Sequence, residues 1–244
     1  MMRIDKVLAH TGYGTRKQVR QMIKDGRVSV NGEIIRNHGF QVNPYEDEIL
    51  AFGEEVYYRK YYYFLLNKPE GIISATEDHI HETVIDWLGP DFAYMELFPV
   101  GRLDIDTTGL LLLTNNGALS HRLLSPKQEV PKVYSALVTG EVTPSDIDAF
   151  AKGLDLGDFV TQPSTLTAEE YSPDHDLSLT EVVITEGKFH QVKRMFEAVG
   201  KTVVQLQRVQ MGPLTLSDDL ATGEFRELTD EEKESLHEYG LIDK

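Results

Sequence analysis

The sequence of 244 residues predicts an α+β fold, in which a small basic head precedes a larger acidic body built on a mixed, mostly antiparallel sheet flanked by helices. Apolar strand-like runs and helical patterns alternate irregularly, and several adjacent runs have turn-length connections. Eight basic and three acidic residues give residues 1–43 a net charge of +5, so the remaining residues carry −21, for a total of −16. This charge asymmetry favours an appended nucleic-acid-binding module.

The composition excludes several classes of protein. With 41% hydrophobic and 26% charged residues it is that of a globular chain. No apolar run approaches the roughly 20 residues of a membrane helix. The N-terminus lacks the apolar core of a secretory signal, so we expect a cytoplasmic protein without a membrane partner. The absence of cysteine excludes disulfides, zinc–thiolate sites and thiol catalysis.

The head is predicted as two short helices followed by a hairpin. The first helix ends before the Gly-Tyr-Gly turn at residues 12–14, and Thr15 opens the second, with Gln18 in the capping-box position. Asn31-Gly32 between two apolar runs is the strongest short hairpin signal. Charge alone favours a small helical domain with a solvated basic face.

The spacing of these elements resembles an S4-type RNA-binding domain over residues 3 to about 49. In that family the helix pair and hairpin present basic residues to structured RNA, where such charges position phosphates. The resemblance implies RNA contacts from Arg3, Lys6, Arg16, Lys17, Arg20 and Lys24. We read residues 43–60 as the end of the head and a linker, and we place the head with its linker at 1–58 and the body at 59–244.

The body is predicted to begin with a strand and to continue as strands mixed with helices. Strands are predicted at 61–66, 109–114, 133–138, 179–185 and 202–209. Helices are predicted at 83–88, at 118–124, from 143 with Pro144 at its first position, and at 190–199. A polar helix at 230–239 is predicted to be a solvated surface helix.

The densest cluster of reactive side chains lies at residues 101–109, Gly-Arg-Leu-Asp-Ile-Asp-Thr-Thr-Gly, just before an apolar strand. Asp104 and Asp106 are compatible with a pair of glycosidase carboxylates or with ligands for a hard metal ion. They are equally compatible with a turn in which Asp and Thr bond to the backbone. The residues alone leave these alternatives open.

The stretch from Gly101 to Leu110 resembles the catalytic motif of pseudouridine synthases of the ribosomal small-subunit type. Three other segments match that family in order: Asn-Lys-Pro-x-Gly at 67–71, Pro-Lys-Val-Tyr at 131–134 and Glu-Gly-Lys-Phe-His-Gln-Val-Lys-Arg-Met-Phe at 186–196. With the S4-like head, the resemblance spans nearly the whole chain. It implies isomerisation of a uridine in ribosomal RNA without a cofactor or a metal.

The resemblance also implies roles for individual residues. Asp104 would be the catalytic carboxylate, attacking the sugar or the base or removing a ribose proton. Tyr134 would stack on the flipped target base, Lys193 would pair with the aspartate, and Arg102 would hold the nucleotide or the neighbouring backbone. Taken alone, Tyr134 is typical of a half-buried strand aromatic and Lys193 of a solvated helix lysine.

The remaining polar residues near these motifs are predicted to support them. Asp106 is interpreted as a carboxylate that stabilises the turn. A polar cluster at the start of a helix is predicted to contact RNA; it consists of Lys188, His190, Gln191 and Arg194.

The sequence of residues 190–196 resembles that of the small-subunit enzymes, which favours 16S ribosomal RNA as substrate, either free or in an assembling small subunit. We also expect the protein to be a monomer. The alternatives are a pseudouridine synthase of 23S ribosomal RNA, a non-catalytic S4-type RNA-binding protein, and a glycoside hydrolase. The last would explain the paired acids but not the basic head.

Overall fold

A computed structural model describes residues 1–241 as two compact units. The first comprises residues 1–62 together with Leu88–Leu97, and the second comprises Tyr63–Trp87 and residues 98–241. The continuous stretch of the first unit ends at Tyr62, and the boundary between residues 58 and 59 remains a prediction. The predicted end of the body, at residue 244, lies outside the described residues.

The first unit contains the predicted helix pair and hairpin. Within residues 1–62 the elements are β1 (Met2–Arg3), α1 (Ile4–His10), α2 (Arg16–Lys24), β2 (Val28–Val30), β3 (Glu33–Ile34), β4 (Gln41–Val42), β5 (Ile49–Ala51) and β6 (Glu54–Glu55), and a 3-10 helix at Pro90–Met95 also belongs to this unit. An antiparallel sheet has the order β3-β2-β5-β6, and β1 pairs with β4. Strands β5 and β6 lie in the segment that was predicted as a linker, so this part of the prediction is wrong. They have only three and two residues, too few to show a periodic apolar pattern in the sequence.

Capping and an apolar stripe explain the second helix. The Thr15 hydroxyl accepts a bond from the Gln18 backbone N–H, and the Gln18 side chain accepts one from the Thr15 N–H, so the predicted capping box is confirmed. Val19 and Ile23 of α2 are fully buried together with Ile4 of α1. Burial of this stripe leaves the basic side chains of α2 on the outside.

The second unit holds most of the strands. Its elements are β7 (Tyr63–Lys68), α3 (Val84–Leu88), β8 (Phe98–Pro99), β9 (Thr108–Thr114), α4 (Gly117–Leu124), β10 (Lys132–Thr139), α5 (Pro144–Lys152), β11 (Thr165–Ser172), β12 (Leu177–Ile184), α6 (Gln191–Ala198), β13 (Val203–Met211), β14 (Leu214–Thr215), β15 (Phe225–Glu227) and α7 (Asp230–Ser235). The last residue of α3, Leu88, is assigned to the first unit. A 3-10 turn lies at Pro126–Gln128. Another, at His237–Tyr239, replaces the end of the helix predicted for 230–239. None of the helices within residues 1–241 is long and apolar enough to span a bilayer.

These strands form a mixed, mostly antiparallel sheet with the order β11-β12-β10-β13-β9-β7-β15, which confirms the predicted fold class. Strands β9 and β13 are its parallel neighbours, whereas the other pairs along this path are antiparallel. The sequence did not predict β11. At the edge of the sheet it buries only Leu166, so it lacks the alternation of a half-buried strand.

One row of cross-strand neighbours joins residues of three predicted motifs. Lys68 of β7 pairs with Gly109 of β9, Gly109 with Arg208 of β13, and Arg208 with Tyr134 of β10. Neighbours in such a row are separated by about 5 Å. Gly109 has a φ of 103°, and a Cβ atom there would collide with the Arg208 backbone. Glycine at 109 therefore lets β9 and β13 meet and brings the motifs into one row.

Candidate active site

Two carboxylates share one ammonium group just before β9. Lys193 on α6 lies with its Nζ atom 3.1 Å from Oδ2 of Asp104 and 2.5 Å from Oδ1 of Asp106. The ion pair between Lys193 and Asp104 that the family resemblance implies is therefore present. Asp106 also contacts the lysine, which adds to its predicted role in the turn. The side chain of Asp104 is 29% exposed, so it is both held and reachable from solvent.

The contacts keep Lys193 and Asp106 charged. Burial favours the neutral form of the lysine, but hydrogen bonds to Asp106 and Asp104 outweigh it and raise the pKa of Lys193. The hydrogen bond from Lys193 lowers the pKa of Asp106. The lysine thus loses its charge only as the pH rises through its raised pKa, and Asp106 only as the pH falls through its lowered pKa. Their ion pair persists through the neutral range.

A histidine completes the surroundings of Asp104. The Nε2 atom of His190 lies 3.6 Å from Oδ1 of Asp104. His190 has a φ of 50°, a left-handed conformation that is uncommon for a residue with a side chain. For this reason α6 begins at Gln191 and not, as predicted, at residue 190. The turn before the helix thus directs an imidazole towards the carboxylate.

A buried lysine, which the sequence analysis did not identify as a site residue, supports the loop of Asp104. Lys68 is fully buried, and its Nζ atom donates to the backbone oxygens of Pro69 at 3.0 Å, Asp104 at 3.1 Å and Thr107 at 2.9 Å. Burial lowers its pKa to about 8, against the attraction of the charges of Asp104 and Asp106. The available signals were a lysine at the end of a largely apolar strand and the Asn-Lys-Pro-x-Gly motif at 67–71, but two of its three partners are 36 and 39 residues away.

Two more buried cations lie near Tyr134, one on its own strand β10 and one on the neighbouring strand β13. Tyr134 is 8% exposed. Lys132, two residues earlier, donates to the backbone oxygen of Val130 at 2.9 Å. Arg208, the cross-strand neighbour of Tyr134, donates through Nε to the Leu110 oxygen at 2.9 Å, and its buried Nη2 atom has no hydrogen-bond partner among residues 1–241. Lys132 belongs to the Pro-Lys-Val-Tyr motif at 131–134 but was not predicted as a site residue, and neither was Arg208.

The titration of Lys132 leads to a prediction about stability. Burial and the nearby charge of Arg208 lower its pKa from 10.5 to about 8. Between these values the unfolded chain binds more protons than the folded one, so the contribution of Lys132 to stability rises with pH. From pH 8 to 10.5 we expect the wild type to gain up to about 3 kcal/mol of unfolding free energy relative to Lys132→Met. Urea denaturation of both proteins measures this difference, and an identical pH dependence would contradict it.

The predicted RNA-binding residues of the second unit fall into two groups. Arg102 and Lys188 are exposed, although the Lys188 ammonium lies 3.6 Å from the centre of the Phe159 ring. Gln191 is buried, and its amide bonds within the turn. Arg194 forms an ion pair with Asp158 and donates to a backbone oxygen. Contact of these residues with RNA remains a prediction.

The basic residues of α2 line a concave surface of the first unit. Two further residues, Arg36 and His38, join them from beyond the hairpin, and the full lining is Arg16, Lys17, Arg20, Gln21, Lys24, Arg36 and His38. Asp5, which is buried, accepts hydrogen bonds from Arg3 at 3.0 and 2.8 Å and from Arg20 at 3.0 Å. Lys6 is exposed. The structure thus gathers the basic side chains of α2 on one face.

Two family models match the chain. One, described as RNA pseudouridylate synthase, matches residues 62–198, and one of the S4 domain matches residues 2–49. The first covers more than half of the chain and includes Asp104, Tyr134 and Lys193. The second coincides with the helix pair, the hairpin and the start of β5.

Similar proteins match over nearly the full length. The chain is 45% identical to the uncharacterized RNA pseudouridine synthase YtzG of Bacillus subtilis, over 97% of this chain and 99% of the relative. It is 40% identical to ribosomal small subunit pseudouridine synthase A of Escherichia coli, over 96% and 100%. It is 37% identical to ribosomal large subunit pseudouridine synthase B of B. subtilis, over 97% and 96%. A crystal structure of a pseudouridylate synthase, 36% identical, matches with a TM-score of 0.65 and covers 97% of this chain and all of that one.

Proposed function

Because the chain belongs to the RNA pseudouridylate synthase family and carries an S4 domain, we propose that it converts one uridine of 16S ribosomal RNA into pseudouridine, with Asp104 as the catalytic carboxylate. The enzyme class follows from the family match. The RNA, the catalytic residues and a cytoplasmic site of action are the proposal. The observation that carries it is the position of Asp104, which is held by Lys193 and faced by His190 while its side chain stays accessible.

The proposed reaction can proceed without a cofactor. The C1′–N1 bond of uridine breaks, the uracil rotates, and a C1′–C5 bond forms, while C5 loses a proton and N1 gains one. Substrate and product are isomers, so the balance needs no oxidant, reductant or energy source. What the protein has to supply is a group that acts on the sugar or the base, and a site that holds the detached uracil.

Asp104 fits the first requirement. A carboxylate beside the nucleoside can attack C1′ of the sugar or C6 of the base, or remove a ribose proton. Lys193 offsets the negative charge of Asp104 and fixes its orientation, which supplies part of the geometric control that catalysis needs. Asp106 holds the same ammonium from the other side, so the lysine is positioned by two contacts.

Tyr134 fits the second requirement. It lies in the row of strand neighbours that contains Gly109, five residues after Asp104. Tyr134 is 8% exposed, and the uncovered part of its ring would contact a base that has left its stack, while its hydroxyl could serve in proton transfer at C5. Arg102, exposed and two residues before Asp104, would hold the phosphate backbone next to the target.

Two observations support 16S ribosomal RNA as the substrate. The small-subunit relative from E. coli matches at 40% identity over its entire length. The sequence of residues 190–196 resembles that of the small-subunit type. The large-subunit relative at 37% identity makes 23S ribosomal RNA the alternative. In either case, the basic concave surface of the first unit would bind phosphates of structured RNA.

The test is to incubate the purified protein with unmodified 16S and 23S ribosomal RNA and to map pseudouridine by carbodiimide treatment and primer extension. We expect a single new stop in 16S RNA, absent when Asp104→Asn replaces the wild type. A stop confined to 23S RNA would keep the enzyme class and overturn the substrate. No stop in either RNA, free or in precursor particles, would overturn the proposed function.

A further inference from the structure

The most exposed aromatic ring of the second unit within residues 63–241 lies beside the candidate active site. Phe189 is 74% exposed, although a phenyl ring gains nothing from contact with water. It precedes His190, the residue that faces Asp104. Aromatic side chains of this kind serve as stacking platforms for bases in proteins that bind single-stranded nucleic acids.

Phe189 forms a flat stack with its neighbour. The rings of Phe189 and His190 have centroids 3.8 Å apart and an angle of 16° between their planes. Since Nε2 of His190 lies 3.6 Å from Asp104, the stack begins at the catalytic carboxylate and ends at the phenyl ring. His190 covers one face of Phe189, and the high exposure of the ring leaves the opposite face accessible.

The turn that carries the stack is held by contacts on both sides. Oε1 of Gln191 accepts the backbone N–H of Lys188 at 3.0 Å, and Nε2 of Gln191 donates to Glu186 at 2.8 Å. Glu186 also accepts the N–H of Gln162 at 2.8 Å. The Lys188 ammonium packs over the ring of Phe159. The rings are therefore positioned before any RNA binds, which lowers the entropic cost of a stacking contact.

We infer that Phe189, supported by His190, stacks on the base of a nucleotide that flanks the target uridine in the substrate RNA. This inference rests on the proposed function. Extrusion of the target uridine removes a stacking partner from its neighbour, and an aromatic ring replaces that partner whatever the identity of the base. The flanking position follows from the geometry, because the imidazole of His190 separates the phenyl ring from Asp104.

The cations near the stack favour a nucleic-acid strand as its occupant. Lys188 adjoins Phe189 in the chain, and Arg102 lies two residues from Asp104, both exposed. A strand that places its ribose at Asp104 and its flanking base on Phe189 brings phosphates near these side chains. Aromatic rings interleaved with cations are the usual means of holding single-stranded RNA.

The test combines substitution of Phe189 with removal of single bases from the RNA. Phe189→Leu keeps an apolar side chain without the flat ring, and Phe189→Tyr keeps the ring. The substrate is an RNA fragment spanning the mapped uridine, used intact or with an abasic nucleotide on the 5′ or the 3′ side. For Phe189→Leu on intact RNA we expect KM to rise roughly tenfold with kcat within about twofold of wild type, and Phe189→Tyr to behave as wild type.

The decisive measurement is the coupling between the protein and the RNA changes. On the abasic RNA that lacks the stacked base, the KM of the wild type should rise by the same factor as for Phe189→Leu on intact RNA. The KM of Phe189→Leu should not rise further on that abasic RNA. The matched control is Phe52→Leu, since Phe52 is 65% exposed but precedes the acidic strand β6, and it should leave KM unchanged.

Two results would overturn the inference. If Phe189→Leu raises KM over the wild type by the same factor on intact RNA and on both abasic RNAs, the ring contacts no flanking base. A fall in kcat with KM unchanged would mean that the ring acts through His190 on Asp104. A wild type that forms no pseudouridine in full-length 16S or 23S ribosomal RNA would instead refute the proposed function.

Discussion

Asp104→Asn is expected to lower kcat for pseudouridine formation by at least about 10³-fold, with RNA binding within about twofold of wild type. The amide keeps the size of the side chain but can neither act as a nucleophile nor accept a proton from ribose. The contact with Lys193 loses its ion pair, yet the surface that binds RNA is unchanged. Single-turnover kinetics measure the chemical step, and electrophoretic mobility shift measures binding.

Asp106→Asn is the matched control for this prediction. Asp106 contacts the same ammonium, but its side chain is 59% exposed and its partner is also held by Asp104. We expect its loss to lower kcat by no more than about tenfold. Equal losses for the two variants would contradict the assignment of the catalytic role to Asp104. A parallel loss of RNA binding in Asp104→Asn would point to a role in binding.

Lys68→Met is expected to lower kcat by about 10²-fold, while leaving RNA affinity near that of wild type. The ammonium of Lys68 bonds to three backbone oxygens, two of them at Asp104 and Thr107. Methionine fills the same space but leaves these oxygens without their donor. The loop then loses the support that positions Asp104, and a displacement of about 1 Å suffices for such a loss of rate.

The control for Lys68→Met is Lys132→Met. Both lysines are buried and both have a pKa of about 8, but Lys132 bonds to the Val130 oxygen, outside the loop of Asp104. At pH 7 we expect Lys132→Met to lower kcat by less than a tenth of the factor seen for Lys68→Met. Single-turnover rates and urea denaturation test both variants. A Lys68→Met protein with wild-type kcat would show that the loop of Asp104 keeps its geometry without the ammonium.

Local sequence patterns were enough to predict most of the helices, turns and strands. The capping box at Thr15, the turn at Asn31-Gly32 and the apolar runs of β9 and β10 depend on neighbours a few residues away, so their positions were predicted to within a few residues. The segment around Asp104 left several chemical alternatives open, and the resemblance to a known family, not a local pattern, assigned its role. The S4 domain was identified through the resemblance of the head to a known family, and the family match at residues 2–49 confirms it.

The geometry that joins these parts depends on contacts between residues that are far apart in the sequence. The ion pair of Lys193 with Asp104 joins residues 89 apart, and the bonds of Lys68 to the loop span 36 and 39 residues. Edge strand β11 and the short strands β5 and β6 form because a partner strand offers free backbone groups, which no local pattern records. The exposure of Phe189 also depends on what the rest of the chain leaves uncovered. Local signals encode elements, whereas register, burial and charge pairing arise from contacts between distant residues.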